Sequence, residues 1–171
     1  TIDPPSVDVT AHILEMLAKL GFPTNTQQVK KALDYMWSEQ EEDGAWFGRW
    51  GVNYVYGTAS VLPALEALGF QGDDPRIVKA TNWLVAQQNS DGGWGESCAS
   101  YANPAWRGRG ISTPSQTAWA LLGLISAGRA DGGPAKKGVE YLIRTQLGDG
   151  SWDEDEYTGT GFPGYGTGDR K

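Results

Sequence analysis

Three copies of one pattern, Gln-x-x-Asp-Gly-x-Trp, restrict what this 171-residue chain can fold into. Each copy follows a segment that opens on Thr-Ala and closes on Gly, with nine residues between the Ala and the Gly. The spacing inside both patterns is the same every time, and the repeated tryptophans lie 48 and 58 residues apart. Periods of this length indicate repeated supersecondary units. We place three units, at about residues 6–57, 58–112 and 113–171.

Each unit is predicted to be a helical hairpin. The Thr-Ala segments carry apolar residues at helical spacing, and each closes on a Gly suited to the left-handed position after a helix. In the second unit, Asp74 and Pro75 form a typical helix start. The sequence therefore predicts an all-α protein with six helices in three pairs. The β-prone residues 52–56 are too isolated to pair, and we interpret them as loop or helix entry.

The repeated Gln and Trp side chains are interpreted as structural. An Asp-Gly pair makes a tight turn, a Gln amide can satisfy backbone groups at a helix end, and an indole can lie over it with its N–H bonded nearby. We call the three copies clasp 1 (40–46), clasp 2 (88–94) and clasp 3 (146–152). They are predicted to join neighbouring hairpins through Gln40, Trp46, Gln88, Trp94, Gln146 and Trp152.

The composition argues against several classes of function. A net charge of -7 has the wrong sign for binding a phosphate backbone, so no nucleic-acid partner is expected. One cysteine, Cys98, and one histidine, His12, leave almost nothing for a Cys/His zinc site. The apolar runs are shorter than the roughly 18 residues that a membrane span needs.

Several longer blocks of sequence are similar to the C-terminal part of squalene-hopene cyclases. Besides the three clasps, they read FGRWGVNYVYGT (47–58), DGGWGE (91–96), STPSQTAWA (112–120) and YTGTGFPG (157–164). The resemblance covers essentially the whole chain. It implies an α/α barrel, or toroid, of concentric helices around an apolar cavity in which squalene is cyclised to hopene or hopanol. It implies no metal or organic cofactor.

The resemblance also implies a bacterial enzyme of hopanoid biosynthesis at the cytoplasmic face of the cell membrane. A hydrocarbon substrate dissolves in bilayers, so the parent enzyme is expected to bind the membrane peripherally, as a monotopic protein. No amphipathic helix with a basic face occurs in this sequence to serve as an anchor. We therefore expect the membrane contact to lie outside this chain.

One motif of the family is missing. The family protonates squalene with an Asp-x-Asp-Asp motif, and this sequence contains none. We therefore expect the chain to be part of a longer enzyme, to be inactive alone, and to need the rest of the parent polypeptide as its partner. Six helices would form about half of a barrel. Because an open half-barrel exposes its inner wall, we expect the isolated chain to self-associate.

Candidate site residues come from spacing and from the resemblance together. Asp8 and His12 lie four residues apart, on one face of the first predicted helix, where a carboxylate can orient an imidazole. Spacing alone leaves an ordinary surface pair as an alternative. The resemblance implies that His12 activates the acid supplied elsewhere, with Asp8 holding its ring. It also places Trp50, Tyr56 and Phe162 in the substrate cavity, with Tyr56 in a catalytic role as well.

Three other classes stay open at this point. A class II diterpene cyclase would share the fold and the acid chemistry. A protein prenyltransferase β subunit is also an α/α barrel, but its zinc site needs an Asp, a Cys and a His at a spacing that this sequence lacks. The non-enzymatic alternative is a helical-repeat module that binds an isoprenoid without converting it.

Overall fold

The protein is helical, as the sequence predicts. A computed structural model describes residues 4–159, and within that range it contains two isolated bridges but no strand. The loop after clasp 2 holds two short 3-10 helices, Cys98–Tyr101 and Pro104–Trp106, which the sequence did not predict. The six α-helices are α1 (Val7–Lys19), α2 (Gln27–Ser38), α3 (Tyr54–Ala67), α4 (Pro75–Ala86), α5 (Pro114–Ser126) and α6 (Gly133–Thr145).

Local signals set the ends of these helices. Asp74 accepts the backbone N–H of Arg76 at 2.9 Å, and Pro75 is the first residue of α4. The Thr113 hydroxyl accepts the backbone N–H of Gln116 at the start of α5. The first helix of each pair ends before a glycine with positive φ, as predicted, at Gly21 (75°), Gly69 (89°) and Gly128 (71°).

The helices form two rows. In the inner row, α3 packs between α1 and α5, while α2, α4 and α6 of the outer row pack behind α1, α3 and α5. The central helix α3 is buried along most of its length because it contacts neighbours on three sides. Two rows of paired helices are the arrangement of one arc of an α/α barrel.

The second hairpin begins earlier than its repeat signature. Helix α3 starts at Tyr54, so residues 52–56 enter a helix, as interpreted from the sequence. The boundary at residue 57, placed ahead of the Thr-Ala signature, falls inside this helix. The other two inner helices also begin before their Thr-Ala pair, α1 three residues before Thr10 and α5 three residues before Thr117, so an early start is common to all three repeats.

The three clasps share one internal geometry. Each indole N–H donates to the carbonyl ten residues earlier: Met36 at 2.7 Å, Leu84 at 2.7 Å and Leu142 at 2.8 Å. Each Gln amide donates to the Gly of its own Asp-Gly turn, and each of these glycines has a φ of about 90°. The motif therefore ties a tight turn back onto the end of the helix that precedes it.

Candidate functional site

A cavity of about 490 Å³ opens between the three inner helices. All of its lining residues come from α1, α3 and α5, and they run from the N-terminal ends of these helices to their C-terminal ends. An imidazole and two aromatic rings lie at the N-terminal end, and an ion pair between Glu15 and Lys19 lies toward the other. The lining residues are His12, Glu15, Lys19, Tyr56, Ala59, Ser60, Pro63, Glu66, Trp119, Leu122 and Ser126.

The repeat register accounts for which residues face the cavity. His12, Ser60 and Trp119 each follow the Thr-Ala pair of their unit, and all three line the cavity. Trp119 was not among the predicted site residues, although its sequence block was noted. The signal that finds it is its repeat position, because equivalent residues of stacked repeats project to the same face.

Three rings meet at the N-terminal end of the cavity. The Nε2 atom of His12 lies 3.3 Å from the hydroxyl oxygen of Tyr56, within hydrogen-bonding distance. The Tyr56 ring in turn packs against Trp119, with 4.8 Å between centroids and 60° between planes. Burial, and secondly the negative charge of Asp8, raise the pKa of Tyr56 above its usual value. Tyr56 is therefore a neutral phenol that can exchange a hydrogen bond with His12.

Asp8 does not bond to the His12 ring in the part of the chain that the structure describes. Its buried carboxylate accepts the backbone N–H groups of Arg49 at 3.2 Å and Trp50 at 2.9 Å. The other oxygen, Oδ1, has no hydrogen-bond partner among those residues. In the structure the His12 ring contacts Tyr56, and the orientation of the ring by Asp8 stays a prediction.

Trp50 lies beside the cavity and does not line it. Its loop is fixed by Asp8 on one side and by Tyr101 on the other, whose hydroxyl contacts the carbonyls of Arg49 and Gly51. The indole is 36% exposed, and the Arg49 guanidinium lies 5.8 Å from its ring. The remaining predicted cavity residue, Phe162, lies outside the described residues.

A buried glutamate, which the sequence reasoning missed, holds the start of α3. Glu96 accepts the backbone N–H of Val55 at 2.8 Å and that of Asn53 at 3.3 Å. Two residues after the Trp of clasp 3, Glu154 accepts the backbone N–H of Ser115 at the start of α5 in the same way. A carboxylate at a helix N-terminus is favourable. An alignment of the repeats finds both glutamates, because each lies two residues after the Trp of its clasp, in clasps 2 and 3.

Replacing Glu96 by Gln is expected to flatten the pH dependence of thermal stability. Burial raises the pKa of Glu96 in the folded protein. The contribution of Glu96 to stability is therefore complete below the ordinary glutamate pKa and is lost as the pH rises through the raised pKa. The melting temperature of the wild type should therefore contain a decline that begins above the ordinary glutamate pKa, as the pH rises toward the raised pKa, and that Glu96→Gln lacks. Thermal unfolding followed by circular dichroism measures the difference.

The matched control for that experiment is Glu140→Gln, because Glu140 is an exposed glutamate on α6. This variant should keep the pH profile of the wild type. If Glu96→Gln and wild type give parallel curves across the range, the ionisation of Glu96 is not coupled to folding.

Other features of the described residues bear on the chemistry. They contain no group of three or more His, Cys, Asp and Glu side chains placed to hold a metal ion. Burial raises the pKa of the Cys98 thiol, which makes it a poor nucleophile. None of the helices between residues 4 and 159 has the length and apolar character of a membrane span.

The fold is shared with a solved structure. The structure of ent-copalyl diphosphate synthase from Streptomyces platensis superposes on this chain with a TM-score of 0.62 at 21% identity. The match covers 90% of this chain and 29% of the synthase chain. The chain thus shares the all-helical α/α-barrel fold of that structure, and the predicted architecture is confirmed.

The particular family follows from sequence. Residues 1–166 match the model of the squalene-hopene cyclase C-terminal domain, and the chain belongs to this family. The squalene-hopene cyclase of Alicyclobacillus acidocaldarius is 61% identical over 95% of the chain and 26% of its own length. The squalene-hopene cyclase of Schizosaccharomyces japonicus is 51% identical over 95% of the chain. The chain spans about a quarter of these relatives, and the family is not confined to bacteria.

Proposed function

We propose that this chain is part of the catalytic domain of an enzyme that cyclises squalene to hopene or hopanol. The observation that carries the proposal is the contact between His12 and Tyr56 at the aromatic end of a cavity between the inner helices. The family and the names of the relatives support the substrate. The three repeats, divided near residues 57 and 112, would then belong to one catalytic domain.

The role of His12 is to assist an acid that this chain does not contain. The imidazole is exposed toward the cavity, so a carboxylic acid from the remaining polypeptide can reach it. A hydrogen bond from the imidazole to the carboxyl group stabilises the anion that remains when the proton adds to the terminal double bond of squalene, which leaves a tertiary cation. Tyr56 contacts the Nε2 atom of His12 and fixes the orientation of its ring. Asp8 acts indirectly, through its charge beside Tyr56 and its hold on the Trp50 loop.

The aromatic rings suit the cation that protonation creates. Each ring closure consumes a double bond and moves the positive charge to a new carbon, until loss of a proton or addition of water ends the sequence. Aromatic faces attract a cation without forming a bond to it, by about 0.5–2 kcal/mol each. Tyr56 and Trp119 offer such faces in the cavity between the inner helices. By the family resemblance we assign the same task to Phe162 and to Trp50, although Trp50 does not line this cavity.

A chimera tests the proposal. The matching segment of the Alicyclobacillus acidocaldarius squalene-hopene cyclase is replaced by the residues of this chain, and squalene conversion is followed by gas chromatography with mass spectrometry. Because the two segments are 61% identical, the chimera should form the relative's cyclic product at a rate within about tenfold of the relative. A chimera that folds but leaves squalene unchanged would contradict the proposal. The 171-residue chain alone should be inactive.

The membrane is part of the same proposal. A substrate as apolar as squalene reaches the enzyme from a bilayer, and we assign the bilayer contact, at the cytoplasmic face, to parts of the parent enzyme outside this chain. A diterpene cyclase has less support, because it shares the fold at 21% identity whereas the squalene-hopene cyclases share half or more of the sequence.

A further inference from the structure

The Trp50 loop (47–53) lies directly against the ring of Tyr56. A Cβ atom on Gly51 would lie 2.5 Å from the Cγ atom of Tyr56 and 2.7 Å from each of its Cδ atoms, and one on Gly48 would lie 2.8 Å from the same ring. The absence of a side chain at these two positions lets the loop backbone touch the ring. The position of Tyr56, whose hydroxyl contacts His12, therefore depends on where the loop is held.

The backbone of this loop is held from several sides. Besides the two amides that Asp8 accepts, the backbone N–H of Val52 donates to the carbonyl of Thr158 at 2.8 Å. The carbonyl of Val52 accepts the side-chain amide of Gln116 at 3.0 Å. That amide is fully buried and makes four hydrogen bonds, so it is itself fixed. The loop is thus preorganised by its surroundings, as the support of a functional site is.

Tyr101 holds the part of the loop that touches the Tyr56 ring. Its hydroxyl oxygen lies 2.8 Å from the carbonyl oxygen of Gly51 and 3.0 Å from that of Arg49, and donates its proton to this pair. Burial raises the pKa of Tyr101 above its usual value, so the hydroxyl keeps the proton that it donates. The Tyr101 ring packs edge-on against Phe47, with 5.7 Å between centroids.

Tyr101 belongs to a segment that only the second repeat contains. The next Thr-Ala pair follows the Trp of clasp 1 by 12 residues and that of clasp 2 by 23. The additional residues lie in the insertion loop (97–112), whose ends are joined by a hydrogen bond from Ser97 to the carbonyl of Arg109 at 2.8 Å. Arg107 of this loop binds Glu41 at 2.9 Å in clasp 1. Insertions in repeat proteins often serve the binding face.

We propose that Tyr101 is a positioning residue of the cyclisation, because its hydroxyl holds Gly51 against the ring of Tyr56. The inference rests on the proposed function. Tyr101 does not line the cavity, so it acts on the substrate only through Tyr56. An aromatic ring attracts a cation within about 6 Å of its centroid. A displaced Tyr56 ring would stabilise the cation less and would also change the contact with His12.

Tyr101→Phe in the chimera tests the inference, because it removes the hydroxyl and keeps the ring. Turnover should fall by up to about a hundredfold, the effect that a displacement of about 1 Å can have, while KM stays the same. The share of incompletely cyclised products should rise, as measured by gas chromatography with mass spectrometry. This share is the specific result, because a variant that merely folds less well makes less of every product in unchanged proportions.

The matched control is Tyr141→Phe. It also removes a hydroxyl that donates to a backbone carbonyl, that of Ser112 at 2.8 Å, and Tyr141 does not line the cavity. This variant should keep the product proportions of the chimera. Gly51→Ala adds a Cβ atom against the Tyr56 ring and should raise the share of incompletely cyclised products as Tyr101→Phe does. An active chimera in which Tyr101→Phe and Tyr141→Phe give the same products would overturn the inference and leave the proposed function standing.

A measurement on the 171-residue chain does not depend on turnover. His12 is the one histidine of the sequence, so its imidazole proton signals stand alone in a nuclear magnetic resonance spectrum. The Tyr56 ring lies 6.4 Å away, and its ring current affects those signals. Tyr101→Phe should shift them, whereas Tyr141→Phe should leave them in place. Unshifted signals in Tyr101→Phe would overturn the inference, whereas an inactive chimera contradicts the proposed function alone.

Discussion

Replacing Trp94 by Ala is expected to lower the free energy of unfolding by about 3–5 kcal/mol, the usual cost of removing a large buried aromatic side chain. The indole is fully buried, donates to the Leu84 carbonyl at 2.7 Å and packs against Gly138 of the next hairpin. The variant leaves a cavity at the junction of two repeats and removes one of the two hydrogen bonds that the Leu84 carbonyl accepts, the other coming from the backbone N–H of Gln87. Equilibrium unfolding in urea measures the loss.

The matched control is Trp152→Ala, because it removes the same side chain and the same hydrogen bond from an equivalent clasp. Its indole is 42% exposed, so the variant should lose about 1 kcal/mol, nearer to the cost of one hydrogen bond. Both variants are compared at low protein concentration, where self-association does not contribute. Equal losses at the two positions would show that burial by the next repeat adds nothing to the clasp.

Replacing His12 by Ala in the chimera is expected to reduce squalene turnover by about 10²–10⁴-fold, the range for loss of a positioned acid or base. The same change should leave the melting temperature almost unchanged, because the imidazole is exposed and its one hydrogen bond in the described structure is to Tyr56. Initial rates at saturating squalene measure the effect on turnover, and thermal unfolding provides the measure of stability.

Two further variants serve as controls for that result. Ser126→Ala removes a hydroxyl from the far end of the same cavity and should keep the rate of the chimera. Tyr56→Phe keeps the ring beside Trp119 and removes only the hydroxyl that contacts His12. It should lower turnover less than His12→Ala does, because the imidazole remains. Unchanged turnover in His12→Ala would remove His12 from the proposed mechanism.

Much of the architecture could be predicted from the sequence because its causes are local. Helix starts such as Asp74-Pro75, the left-handed glycines after α1, α3 and α5, and the clasp hydrogen bonds all join residues within about ten positions of one another. The repeat spacing then identifies the hairpins as equivalent. The family was also recognisable, since its motifs are contiguous blocks of sequence.

The cavity could be predicted only in part. The register of the Thr-Ala segments places His12, Ser60 and Trp119 on one face, although only His12 was recognised as a site residue. Helical spacing shows that His12 and Asp8 can meet, whereas the structure pairs Asp8 with the backbone N–H groups of Arg49 and Trp50 and His12 with Tyr56.

What the sequence by itself determined is the set of helices, their order, the clasps and the family. What only the tertiary structure decided is the partner of each polar side chain across the rows: Tyr56 for His12, the Trp50 loop for Asp8, and the start of α3 for Glu96. These partners lie more than 40 residues apart in sequence. Local patterns leave such pairs undetermined, because which atoms come within 3 Å depends on how whole helices pack.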